Sequence, residues 1–222
     1  MPEDAPERVV GHTTHCFYAG GMSPLQKIAM GMVIVIGSAL FPADPSPSWQ
    51  RYDALADPLG WVLVVLGTFA LARADDSFDS SRWLAGLAGV VSVPMWIPQL
   101  HHQLDASGEW FASLPQIAFC LFLAREIGML GAQQSPADTY VAKRFGLLVW
   151  AFAVVGVLPV IAIGGSVTHL ESTTLVFSAL TNVAFGYFLF RVHRRRWLGG
   201  AGPLEVQPRK QPEKREGRPP SS

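Results

Sequence analysis

Two short stretches gather the residue types that bind metal ions or move protons. "HHQLD" supplies His101, His102 and Asp105, with Glu109 four residues further on, and "THLE" supplies His169 and Glu171. Imidazole and carboxylate groups ligate zinc or a similar ion when three or four converge. His101, His102, Asp105 and His169 are therefore the candidate metal ligands, although their spacing matches no defined zinc motif and solvated loops are the plainer reading. "HTTHC" (His12, His15, Cys16) offers the same groups within a polar N-terminal stretch. No glycine-rich phosphate loop, paired-cysteine zinc motif or HExxH sequence occurs. Cys16 in a polar segment and Cys120 in an apolar run differ too much in setting to suggest a disulfide. No cofactor is implied.

Uncharged polar residues recur at helical spacing. Thr174, Ser178, Asn182 and Gly186 fall every fourth residue, and Ser113, Gln116 and Cys120 follow at three and four, so each set shares a helix face. Ala85, Gly89 and Ser92 form a third set. Inside a bilayer such a face packs a neighbouring helix closely, with interhelical hydrogen bonds, or it lines a solute pathway. Packing is the preferred reading, with Asn182 expected to meet Gln116 or Cys120. No ionisable residue is expected at bilayer depth, because Glu126 stands beside Arg125 at the end of its apolar run. That argues against a carrier built on a buried carboxylate.

The elements that position these residues follow from composition. Half of the 222 residues are hydrophobic and only 15% are charged, against about a quarter charged in soluble domains. The apolar residues fall in six runs, 24–43, 58–74, 83–100, 110–126, 144–167 and 173–191. A spanning helix needs roughly 20 apolar residues, and the first two runs reach that only if Lys27 and Arg73 snorkel. The sequence predicts an all-α polytopic membrane helix bundle of about six transmembrane helices over 24–197, with four as the fallback. Pro94, Pro98 and Pro159 are expected to bend their helices. The flanking segments 1–23 and 198–222, polar and rich in Pro, Gly and charge, are expected to be disordered.

Charge sets the expected topology. With both termini inside, every Lys and Arg except Arg51 falls on the inner side, while Asp44, Asp53, Asp57, Asp105, Glu109 and Glu171 lie outside. That is the positive-inside pattern. "RVHRRRW" continues an apolar run, so Arg194, Arg195 and Arg196 are expected among anionic lipid headgroups rather than on nucleic acid. Trp61, Trp96 and Trp110 are expected at the outer interface. The Pro-Gln pairs of "IPQL" and "LPQI" resemble those of PQ-loop transporters as dipeptides only, and their place in adjacent helices departs from that family's spacing.

These readings converge on a multi-pass protein of a bacterial plasma membrane with a non-enzymatic structural, accessory or partner-binding role. A transporter or channel subunit for a small uncharged solute is the alternative, and a membrane enzyme with an outer-face His and carboxylate site comes third. The expected partners are the lipid bilayer and either a second copy of the chain or another membrane protein.

Overall fold

The computed structural model describes residues 22–37, 40–41, 52–53, 56–165 and 168–202. Apart from a two-residue antiparallel pairing of Leu40–Phe41 (β1) with Tyr52–Asp53 (β2), the regular elements among them are helices. They are α1 (Pro24–Ile36), α2 (Asp57–Ala74), α3 (Asp79–Trp96), the short α4 (Pro98–His101), α5 (Ala106–Gln133), α6 (Thr139–Gly165) and α7 (Thr168–Val192). Side-chain caps fix several starts. The Ser23 hydroxyl accepts from Gln26 N at 3.1 Å, and the Asp105 and Asp138 carboxylates accept from Gly108 N and Val141 N at 2.8 and 3.2 Å.

Six helices close a ring in the order α1, α2, α3, α5, α6, α7, with α7 returning to α1. Leu25, Ile28, Met32, Phe119, Leu123, Phe145, Phe152, Phe185 and Leu189 fill its interior and are almost wholly buried. Edge-to-face ring pairs tie helices together, Trp61 of α2 with Phe119 of α5 at 5.5 Å and Phe152 of α6 with Phe185 of α7 at 5.3 Å between centroids. Large apolar side chains also cover the exterior, among them Trp83, Val90, Phe111, Leu147, Trp150 and Leu175. An apolar exterior suits lipid and not water.

Four helices are long and apolar enough to cross a membrane, Asp57–Ala74, Ala106–Gln133, Thr139–Ala162 and Ser172–Val192. They coincide with the predicted runs 58–74, 110–126, 144–167 and 173–191. The other two runs yield the shorter α1 and the less apolar α3, which matches α2 at 18 residues but includes Asp79 and Arg82. α1 stops at Ile36 rather than 43, a length of about 20 Å at 1.5 Å per residue. The run 83–100 is broken at Ile97, which is extended (φ −84°, ψ 113°) because the ring of Pro98 disfavours a helical residue before it.

Helices α1 and α2 approach each other closely at three glycines. A Cβ on Gly31 would stand 2.5 Å from Gly60 O, one on Gly60 2.8 Å from Gly31 O, and one on Gly67 2.5 Å from Ile28 Cγ1. Only glycine permits this backbone contact.

The packed region runs beyond residue 197. After α7 a single 3-10 turn, Arg196–Leu198, folds back so that Leu198 is buried, and Gly199 at φ +73° turns the chain beside the Pro24 ring. Residues 198–202 thus belong to the bundle rather than to the tail. The expected disorder of 1–21 and 203–222 lies outside the described residues.

Candidate functional site

The two ends of the ring differ in charge. Among the described residues Lys27, Arg73, Arg82, Lys143, Arg144 and Arg191 stand at one end, where they outnumber Asp75, Asp76, Asp79 and Asp138, and Asp57, Asp105 and Glu109 stand at the other. The seam between α3 and α5 carries polar groups at both. On α3 the buried positions Ser81, Ala85, Ala88 and Ser92 recur at spacings of four and three, which is one helix face.

At the acidic end the seam opens into a cavity of about 150 Å³, lined by Asp57 and Trp61 of α2, Ser92 of α3, and Glu109, Ser113 and Gln116 of α5. Two carboxylates, two hydroxyls and an amide there offer hydrogen bonds to water or a small polar solute. Trp61 is part of this lining, and its ring meets fully buried Phe119. A larger groove of about 900 Å³ lies between the same helices near Leu87, Val91, Phe111 and Pro115, under Leu100 and Leu104. Its lining is apolar apart from Gln103, so it offers shape without chemistry.

At the basic end Ser81 Oγ donates to the Glu126 carboxylate across the seam. Both residues are buried, Glu126 to 3% exposure and Ser81 to 0%. The sequence places Glu126 at the end of its apolar run, whereas the structure buries it between helices. α5 continues through Ile127, Met129 and Leu130 to Gln133, so position 126 is interior to the helix and not its end. The apolar residues after Glu126 were the available signal. Arg125 beside it masked that signal.

The polar stripe of α7 bonds within its own helix. Thr174 Oγ1 donates to Leu170 O at 2.7 Å and Asn182 Nδ2 to Ser178 O at 2.9 Å, while Asn182 Oδ1 is buried without a partner. α6 stands between α5 and α7 in the ring, and the hydrogen bonds of Asn182 go to Ser178 rather than to Gln116 or Cys120. Cys120 is fully buried in the core. A Cβ on Gly186 would meet nothing within 4 Å, so this glycine makes no close helix contact.

Of the proposed metal ligands, His101 Nε2 lies 3.5 Å from Glu109 Oε1, and Asp105 caps α5. His102 is exposed. The His169 side chain lies outside the described residues. No group of three or more His, Cys, Asp or Glu able to hold a metal ion occurs among the described residues.

Of the three tryptophans expected at the outer interface, Trp96 is 39% exposed and two meet other helices. Trp61 is 2% exposed inside the ring, and Trp110 Nε1 donates to Gly156 O of α6 at 3.1 Å. In the basic run, Arg195 pairs with Asp138 at 3.0 Å, tying the chain after α7 to the turn before α6. Arg194 is half-buried and Arg196 exposed. The chain matches no protein family, no curated protein and no solved structure.

Proposed function

We propose that the chain is an integral protein of a bacterial plasma membrane, with six crossings and both termini inside, and that it acts without catalysis as a structural, accessory or partner-binding component. The observation that carries this reading is the apolar centre of the ring, which among the described residues is filled by Phe119, Leu123, Phe145, Phe152 and Phe185. The hydroxyls agree with it. Thr68, Ser92, Ser113, Thr174 and Thr181 each donate to a carbonyl of their own helix. Ring order supports six crossings, because α1 sits between α2 and α7, and α3 between α2 and α5, all three neighbours being long enough to span. A partner-binding role draws support from the first half of α7, where Leu175, Val176 and Leu180 are 73%, 61% and 63% exposed.

Reconstitution into liposomes tests the proposal. Glycerol and urea should leave vesicles containing the protein no faster than empty ones, and disulfide trapping through cysteines at 175 and 180 in native membranes should yield a discrete adduct.

A second reading, an uncharged-solute carrier, is favoured by the cavity at Ser92, Ser113 and Gln116. Solute flux abolished by Gln116→Leu would establish it in place of the first.

A further inference from the structure

At the basic end of α6 and α7 the fold holds two guanidiniums against tyrosine rings. Arg144 and Arg191 lie over the Tyr140 ring at 5.8 and 5.2 Å from its centroid, and Arg191 Nη1 donates to Tyr187 Oη at 2.7 Å. Aromatic faces attract cations at this range and restrict where they point. Among the described residues neither arginine meets a carboxylate, whereas Arg82 pairs with Asp79 at 3.2 Å and Arg195 with Asp138 at 3.0 Å.

Both arginines are exposed. One turn from Arg144 toward the other end of the ring stands Leu147, one turn from Arg191 stands Tyr187, and Val183 follows a turn later, with exposures of 62%, 54% and 60%. Two oriented cations thus sit at the head of an apolar strip on the outside of the bundle.

We propose that Arg144 and Arg191, held on Tyr140 and Tyr187, bind the phosphate of an anionic phospholipid whose acyl chains lie along Leu147 and Val183. The inference rests on the membrane-embedded reading of the chain. A guanidinium presents paired N–H donors that match phosphate oxygens, and the tyrosines hold both forks in place before the lipid arrives. The site differs from the basic run after α7, in which Arg195 is already engaged by Asp138.

Native mass spectrometry tests this on the full chain, purified in detergent with equal amounts of phosphatidylglycerol and phosphatidylcholine. The wild type should retain phosphatidylglycerol preferentially. Arg144→Gln with Arg191→Gln should reduce that preference roughly thirtyfold, from about fivefold in binding strength per cation. The paired control Arg194→Gln with Arg196→Gln should leave it unchanged. Equal loss in the control, or no loss in the site variant, overturns the proposal by showing diffuse attraction to the basic end.

Glycerol phosphate distinguishes the two sources of the anion. Its failure to displace phosphatidylglycerol at millimolar concentration is expected, and full displacement overturns the lipid assignment in favour of a free phosphate ester. If the double variant does not fold, Arg144→Gln alone and Tyr140→Leu alone read the same ratio, each with a smaller loss expected and no loss overturning the site. Carbonate extraction separates the underlying readings. A wild-type chain that stays in washed membranes yet shows no lipid preference sinks the site alone, whereas one that washes out sinks the membrane reading as well.

Discussion

Glu126 and Ser81 are both buried and meet across the seam between α3 and α5. A carboxyl group removed from water needs a partner, and Ser81 supplies one from the neighbouring helix. Ser81→Ala should therefore cost about 1–3 kcal/mol by leaving that group unsatisfied, while Glu126→Gln, which keeps an oxygen able to accept from Ser81, should change stability much less. Thermal unfolding in detergent measures both, and a wild-type midpoint for Ser81→Ala would contradict the assigned hydrogen bond. Glycine offers a second test at this scale. Gly60→Val would drive a side chain into the Gly31 carbonyl and destabilise by about 1–3 kcal/mol, whereas Gly86→Ala, where an added Cβ meets nothing within 4 Å, should be neutral. The glycines Gly31, Gly60 and Gly67 stand plainly in the sequence, yet nothing there pairs α1 with α2 at those heights, so their role emerges only from the packed helices.

Among elements, α7 shows how far helical periodicity reaches. The fourfold spacing of Thr174, Ser178, Asn182 and Gly186 places them on one face, but whether a polar face bonds across or within its helix depends on which helix stands opposite. Ring order sets α6 and α1 beside α7, and the side chains turn back to their own carbonyls. Asn182→Leu should accordingly shift stability by less than about 1 kcal/mol, since the bond it removes is local and its Oδ1 lacks a partner. Trp61→Ala, which empties the contact with Phe119, should cost about 3–5 kcal/mol. A melting-point comparison in one detergent decides between them, and equal losses would mean that Asn182 does bridge helices. Run length alone places α2, α5, α6 and α7, because a continuous apolar stretch leaves the backbone no option but to satisfy its own hydrogen bonds. The ends are harder to read. The apolar residues of α5 resume after Arg125 and Glu126, and α3 breaks at a proline that the hydropathy of 83–100 conceals.

For the whole molecule, the return of the chain after α7 closes the ring at its basic end. Leu198 is 1% exposed and Gly199 abuts Pro24, so truncation before residue 198 should lower the unfolding temperature, and Leu198→Ala should cost about 2–5 kcal/mol. The ring itself bears on the number of crossings. With only α2, α5, α6 and α7 spanning, the chain would be on one side of the membrane at both Ser77 and Gln103, which would reverse α5, α6 and α7 relative to their flanking charges. With six crossings, α3 separates Ser77 from Gln103. Single cysteines placed at 77, 103 and 135 in a chain carrying Cys16→Ser and Cys120→Ala, labelled with an impermeant maleimide on intact cells and on inverted vesicles, measure this directly. The account predicts that 103 reacts only from outside, and 77 and 135 only from inside. Labelling of 77 and 103 from the same side would contradict it.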